Sequence, residues 1–314
     1  MTAESPLPTH VSVMLDEVLE AMSLQPGMVV VDGTLGLAGH SVAIAKKIAP
    51  GGLLIGIDWD QAMLARAEAR LKAEADGVTI SLHHADYRAL PDCVQSACAR
   101  YGRQRLVDAI LLDLGLNNAQ IEDALRGISF RQNGPLDMRM DVSKGVPLSE
   151  ILKTISARDL EQILWDLGDE RWARQIAKVI VERRKTQEIE TTDDLVDCIQ
   201  AAVPAAKRDK RLHVATRSFQ ALRIYINGEL DELQEAIESA ARCLKPGGTL
   251  VTLAYHSGED RAVKHAFKSL CQGEGFTNVF KKPLRPSEEE VARNPKSRSA
   301  VMRVLRRNDS GEEQ

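Results

Sequence analysis

Met28-Val-Val-Val-Asp32-Gly-Thr-Leu-Gly-Leu-Ala-Gly-His40 is the stretch on which the fold turns. A run of β-branched residues closing on an acid reads as a buried strand. The glycine-bearing turn after it lets a ligand come close to the backbone, and a helix opening near His40 offers free N–H groups in its first turn. Outward from this stretch the pattern repeats. Leu53–Asp58, Val78–Leu82 and Val107–Asp113 read as further buried strands, with helices expected from His40 to Ile48 and from Gln61 to Ala75. Strands and helices alternating at this spacing predict an α/β fold: a mostly parallel sheet with right-handed crossovers and helices on both faces.

The alternation stops from about Ala119 to Val214, where only helical patterns and loops are found. Ser156 opens a helix whose Leu160, Ile163, Leu164 and Leu167 form one stripe. Trp172, Ile176, Val179 and Ile180 repeat that spacing, and Thr192 reads as the cap of a helix reaching Ile199. Trp165 and Trp172 are expected in the core. Strands return at Thr249–Ala254, after a Leu-Lys-Pro-Gly-Gly turn, and at Phe276–Phe280 and Ala300–Leu305. The expected organisation is a discontinuous α/β domain over 1–118 and 215–307, interrupted by a helical insertion over 119–214. The polar tail, 308–314, is expected to be disordered.

With 44% hydrophobic and 27% charged residues, the 314-residue chain can bury a large core, and 4% aromatic residues make that core aliphatic. No apolar run reaches the 18 or so residues that span a membrane. The first seventeen residues carry acids and prolines where a signal peptide needs a basic start and an apolar middle, so a cytoplasmic protein is expected. Five scattered cysteines without a C-x-x-C pair point to neither disulfides nor zinc. No metal-ligand spacing is present, and no metal is expected. A net charge of −4 does not announce nucleic-acid binding, so local basic clusters must carry that argument.

Four acids stand at four consecutive strand ends: Asp32, Asp58, Asp86 and Asp113. Asp58 can take both hydroxyls of a ribose. Asp32 lies beside Gly33 in a turn that continues through Gly36 and Gly39. A carboxylate there repels a pyrophosphate but suits the amino or sulfonium end of S-adenosylmethionine. Asp86 can reach an adenine amine. The set points to a methyltransferase-type site.

Several blocks resemble the bacterial 16S ribosomal RNA cytosine-N4 methyltransferases of the MraW type. They include Asp32-Gly-Thr-Leu-Gly-Leu-Ala-Gly-His-Ser41, Gly134-Pro-Leu-Asp-Met-Arg-Met-Asp141, Gly168-Asp-Glu-Arg171, Ala215-Thr-Arg-Ser-Phe-Gln-Ala-Leu-Arg223 and Tyr255-His-Ser-Gly-Glu-Asp-Arg261. The resemblance runs in family order from residue 10 to about 305. It implies a class I methyltransferase fold with an inserted helical substrate-recognition domain, and S-adenosylmethionine held by Ala38, Gly39, His40, Asp58, Tyr87, Asp113 and Gln120. The implied substrate is a decoding-centre cytosine of 16S ribosomal RNA in the small ribosomal subunit, methylated at its exocyclic N4. This chain departs from the family at Ala38 (usually glycine), Tyr87 (usually phenylalanine) and Val214 (usually proline). Asn117-Asn118 stands where the family has two serines, and Gly258 where it has leucine.

The exocyclic amine of cytosine is a poor nucleophile, so the enzyme must place it and accept its hydrogen bonds as the nitrogen becomes tetrahedral. Asp113 and the amide oxygens of Asn117 and Asn118 are the expected acceptors. Lys207, Arg208, Lys210, Arg211 and Arg217 form a basic run suited to phosphates, and His256 sits at a strand end where it can line the site. Lys281, Lys282, Arg285 and the basic residues after Arg293 form a second cluster. An apolar face of the insertion could pack on the core or on a second copy, so a homodimer is compatible with the sequence. Two other readings stay open: a divergent paralogue acting on another RNA or a small molecule, and a catalytically idle RNA-binding or ribosome-assembly factor.

Overall fold

The computed structural model describes residues 12–115, 121, 123–273 and 275–309. The chain divides into two compact units, one made of the residues up to Gly115 and from Glu232 onward, the other running from 116 to Asp231.

The first unit is built on one seven-stranded sheet in the order β3-β2-β1-β4-β5-β7-β6. Its strands are β1 (Val29–Asp32), β2 (Leu53–Asp58), β3 (Thr79–His84), β4 (Val107–Asp113), β5 (Leu244–Ala254), β6 (Phe276–Asn278) and β7 (Val301–Arg307). The first five run parallel, while β7 is antiparallel to both β5 and β6. A parallel sheet with a late antiparallel strand slotted in beside β5 is the class I methyltransferase arrangement. The late strands complete the sheet begun by the early ones, so the chain leaves the first unit after β4 and returns to finish it.

Helices α1 (Leu15–Met22), α2 (Gly39–Ile48) and α3 (Gln61–Glu74) contribute Val18, Ile44, Ile48, Ala67 and Leu71 to one core cluster. Val30, Leu54, Leu111, Val251 and Leu253 of the strands fill the same cluster, as alternation along buried strands requires. Helices α4 (Leu90–Arg100), α10 (Leu233–Arg242) and α11 (Ser257–Gly273) pack with one another and on the strands. The Leu-Lys-Pro-Gly-Gly segment expected to be a turn is instead the start of β5. Val107 pairs with Leu244 and Ala109 with Thr249, so the extra residues bulge out of the ladder. The second late strand stops at Asn278, and Asn308, expected in a disordered tail, donates its backbone N–H to Gly275 O at 2.9 Å. Residues 310–314 lie outside the described residues.

The second unit is helical: α5 (Leu148–Thr154), α6 (Ala157–Gly168), α7 (Ala173–Arg183), α8 (Thr192–Ala202) and α9 (Thr216–Asn227). Ser156 caps α6 by accepting from Asp159 N. The cap of α8 is Thr191 rather than Thr192, because Thr191 and Asp194 satisfy each other's backbone N–H groups reciprocally. The sequence boundary at 214 also needs correcting. Helix α9 buries Phe219, Ala221 and Leu222 in the helical cluster with Leu160, Leu164 and Ile176, so the unit extends to Asp231. Trp165 is 60% exposed, against expectation, whereas Trp172 packs against the cluster. The buried stripe of α6 is Leu160, Leu164 and Gly168, and Trp165 lies one residue, about 100°, round the helix from it.

Candidate active site

The turn after β1 is tied to both neighbouring strands. Gly33 N donates to Leu111 O of β4 and Leu35 N to Ile57 O of β2, each at 2.9 Å. Thr34 Oγ1 accepts Asp113 N at 2.7 Å. Asp32 is 2% exposed, and its carboxylate braces the turn from inside: Oδ1 accepts Thr34 N at 3.1 Å and Oδ2 accepts Ser41 Oγ at 2.7 Å. Burial raises Asp32 above the usual carboxylate range, against the pull of Ser41 and His40. Asp58 reaches across from β2, with Oδ2 accepting Gly36 N at 2.7 Å and Oδ1 accepting Asp60 N at 2.8 Å. Burial pushes Asp58 up to about 6. Arg70 of α3 holds the next residue, donating to Leu37 O at 3.1 Å.

Ala38 then turns the chain into α2 with φ of 59°, in the left-handed region that glycine enters without strain. This gives a physical reason for glycine being usual at that position in the resembling family. Behind it, His40 is buried on the first turn of α2. Its Nε2 sits 2.9 Å from Val13 O. A carbonyl can only accept, so Nε2 carries the proton, and Nδ1 faces Asp113 Oδ2 at 3.7 Å.

Asp113 ends β4 opposite Leu253 of β5. Two residues beyond Leu253 stands Tyr255, whose buried phenol feels the negative charge of Asp113. Burial first, and Asp113 second, push the Tyr255 phenol well above its ordinary range, so it stays protonated. Its ring lies over Gly115. A Cβ built at that glycine would stand closer to the ring than Cβ atoms ever approach their neighbours. Tyr255 escaped the sequence reading as a site residue. Its signal was its place at the end of β5, which only the β4–β5 pairing makes meaningful.

The remaining expected residues divide. Asp86 is half-buried at the end of β3, but both its oxygens are taken by the Arg88 guanidinium at 2.9 and 2.7 Å. Tyr87 follows it in a short 3₁₀ turn. Asn117, Asn118 and Gln120 lie outside the described residues. His256 faces Glu259, with Nε2 3.1 Å from Oε1, while Glu259 Oε2 accepts the backbone N–H groups of Tyr255 and His256. In the helical unit, Lys207, Lys210 and Arg211 are exposed. Arg208 instead caps the end of α8, donating to Gln200 O at 2.7 Å and Val203 O at 3.2 Å. Arg217 donates to Asp169 O at 3.0 Å. Arg139 grips Asp137 with two hydrogen bonds and gives a third group to the carbonyls of Val142, Lys144 and Gly145. Asp141 is held at about 2, first by Ser143 and then by Lys144. Both residues therefore build the 137–145 loop of their own unit.

The donor set can be tested for fit. S-adenosylmethionine presents ribose hydroxyls, two amines and a sulfonium, which are hydrogen-bond donors or positive charges. The strand ends present carboxylates, which only accept, and the turn beside them is held by backbone hydrogen bonds. Two of those carboxylates, Asp32 and Asp58, are raised by burial and gain from a positive or donating ligand. The residues present fit the group.

The MraW methylase family matches residues 8–308. The ribosomal RNA small subunit methyltransferase H of Syntrophobacter fumaroxidans is 41% identical over 311 residues, covering 94% of this chain and 95% of its own. Its counterpart in Geotalea uraniireducens is 43% identical over 310 residues, covering 94% and 97%. That of Heliobacterium mobile is 41% identical over 313 residues, covering 95% and 98%. Likeness of this depth along the whole length settles descent: the chain belongs to the MraW methylase family, and its cofactor is S-adenosylmethionine.

Proposed function

We propose that the chain methylates small-subunit ribosomal RNA, and that the methyl group goes to the exocyclic N4 of a decoding-centre cytosine in 16S RNA within the small ribosomal subunit. The observation that carries the reading is Asp113, set at the end of β4 with its Oδ2 3.7 Å from His40 Nδ1. The names of the relatives support the substrate class, and a ribosomal substrate fits work in the cytoplasm.

When bound, S-adenosylmethionine supplies the electrophilic methyl. Asp58 would take the ribose hydroxyls, and the turn from Gly33 to His40, braced by Asp32, would hold the rest of the cofactor. Asp113 accepts hydrogen bonds from the amine and draws its lone pair out of conjugation as the nitrogen becomes tetrahedral. It then receives the proton that the methylated nitrogen releases. Asn117 and Asn118, four and five residues on, are candidates for a second acceptor. The target base must be unstacked to reach the site. Recognition of the RNA falls to the helical unit, where Lys207, Lys210 and Arg211 are free to meet phosphates. Arg208 and Arg217 serve the fold instead.

Labelled methyl transfer to small subunits by the wild type and by Asp113→Asn tests the reading. Transfer by the wild type, with a loss of 100-fold or more in the variant at saturating cofactor, supports it. Equal transfer by the two removes Asp113 from the chemistry.

A further inference from the structure

We propose that the first unit carries an RNA face of its own, formed by helix α11 and the loop at 280–283. It takes the phosphates of a single strand on Arg261, Lys264, Lys268, Lys281 and Lys282, and one unpaired base on Phe280. The inference rests on the reading of the substrate as RNA and adds a second place, outside the helical unit, where that RNA is held. It is carried by a row of uncompensated charge beside an exposed aromatic ring.

Helix α11 buries Val263, Ala266, Phe267 and Leu270. Arg261, Lys264 and Lys268 stand on its opposite side, exposed, at i, i+3 and i+7. Like charges one turn apart repel and destabilise a helix. Elsewhere the chain answers such bases with acids one turn away: Arg70 with Glu74 and Lys72 with Glu68 on α3, and Arg242 with Glu238 on α10. On α11 it does not. Asp260 is taken by Arg303 of β7 at 2.8 and 3.1 Å, and Glu259 is buried on the backbone N–H groups of Tyr255 and His256. Residues 261–287 hold six lysines and arginines against one acid, in a chain whose net charge is −4. Among the described residues, none of the five named cations forms an ion pair.

The loop is fixed at both ends. Val279 N donates to Val304 O at 2.9 Å, and Leu284 and Met302 exchange both backbone hydrogen bonds at 2.9 Å. Residues 280–283 therefore bulge out between anchors only two residues apart on β7. Phe280 is 39% exposed there, and Lys281 and Lys282 are exposed beside it. Asn278 at the end of β6 donates to Cys271 Sγ at 3.4 Å, and Arg303 holds Asp260, so α11 runs along the sheet edge that carries the loop. A ring set among cations stacks a base while the cations follow the sugar–phosphate backbone. A lipid surface fits less well, because the apolar side of α11 is turned into its own unit.

Two variants of the full chain test the face. One carries Lys264→Gln, Lys268→Gln, Lys281→Gln and Lys282→Gln together; the other is Phe280→Ala. Glutamine matches lysine in helix propensity and removes the like-charge repulsion, so the melting temperature of the first should not fall. Filter binding across a salt series measures affinity for small subunits, for naked 16S RNA and for poly(U), an unstructured single strand. Calorimetry measures cofactor binding alongside. The lysine variant should lose about tenfold or more in RNA affinity at about 0.1 M salt, and its slope of log K against log salt should flatten by about 0.7 per lost contact. Phe280→Ala should lose about fivefold or more with the slope unchanged, because stacking releases no counterion. Both should keep a cofactor Kd within about twofold of the wild type. RNA affinity within about twofold of the wild type in either variant overturns the proposal. So does loss of binding to small subunits with binding to naked RNA and poly(U) intact, which makes a ribosomal protein the occupant. If the wild type methylates no ribosomal RNA, the substrate reading fails, and the poly(U) series still decides the face.

Discussion

Asp58 Oδ2 accepts the backbone N–H of Gly36 at 2.7 Å, so the acid that ends β2 holds the turn that follows β1. The same carboxylate stands where a ribose is taken in nucleotide-binding α/β folds. On the proposed function, Asp58 joins loop order and ligand affinity in one side chain. Asp58→Ala should weaken S-adenosylmethionine binding roughly 10- to 100-fold, the range for losing a hydrogen bond to a charged group. Calorimetry on the purified variant measures it.

The pH dependence of binding follows from the same residue. Burial raises Asp58 to about 6 from 3.8. Between those values the folded protein keeps a proton that the unfolded chain has released. The contribution of Asp58 to stability therefore falls as pH rises through that window and is level above it. A ligand donating hydroxyls to the ionised form works the other way. Binding should release a proton below about pH 6 and tighten as pH rises toward that value. Calorimetry in buffers of different ionisation enthalpy should detect the proton, and Asp58→Asn should reduce it.

Ser41→Ala leaves Asp32 Oδ2, in a carboxylate 2% exposed, without its 2.7 Å donor. The expected cost is about 1–3 kcal/mol of folding stability, the desolvation penalty of an unsatisfied buried group. Chemical denaturation of the cofactor-free protein, with and without Ser41, measures it.

Gly115→Ala puts a methyl group into the Tyr255 ring. Ring or strand end must move, and Asp113 moves with it. Displacement of about 1 Å at a reacting group can cost up to about 100-fold in rate. Steady-state kinetics should show that loss in kcat, with much less change in cofactor affinity.

The acids Asp32, Asp58 and Asp113 were legible because each closes a continuous apolar run, which names both strand and strand end. What lay across strands was not. Nothing local in the sequence says that Tyr255 lies near Asp113, because that depends on β5 lying beside β4, some 130 residues later in the chain. The roles of Arg88 and Arg208 were hidden for a related reason. A basic residue that caps a helix or grips a neighbouring acid looks, in sequence, like one that faces phosphate. Trp165 misled because it follows Leu164 directly, and one residue along a helix is a quarter-turn off the buried stripe.

That distinction among basic residues is itself testable. Lys207, Lys210 and Arg211 are exposed, whereas Arg208 is bonded to the last carbonyls of α8. Replacing the three exposed residues by alanine should weaken RNA binding and flatten its salt dependence by up to about 0.7–0.9 in logarithmic slope per lost phosphate contact. Cofactor affinity should not change. Arg208→Ala should instead lower thermal stability. Filter binding across a salt series, beside melting curves, separates the two effects.

The central claim is methyl transfer to a ribosomal cytosine. Small subunits lacking the modification, with naked 16S RNA alongside, are incubated with the protein and labelled S-adenosylmethionine, and the product is mapped by mass spectrometry. The account predicts one methyl group on the exocyclic N4 of a decoding-centre cytosine, and loss of that product in Asp113→Asn. Label on another atom or another RNA, or no label while cofactor binding is intact, would contradict it.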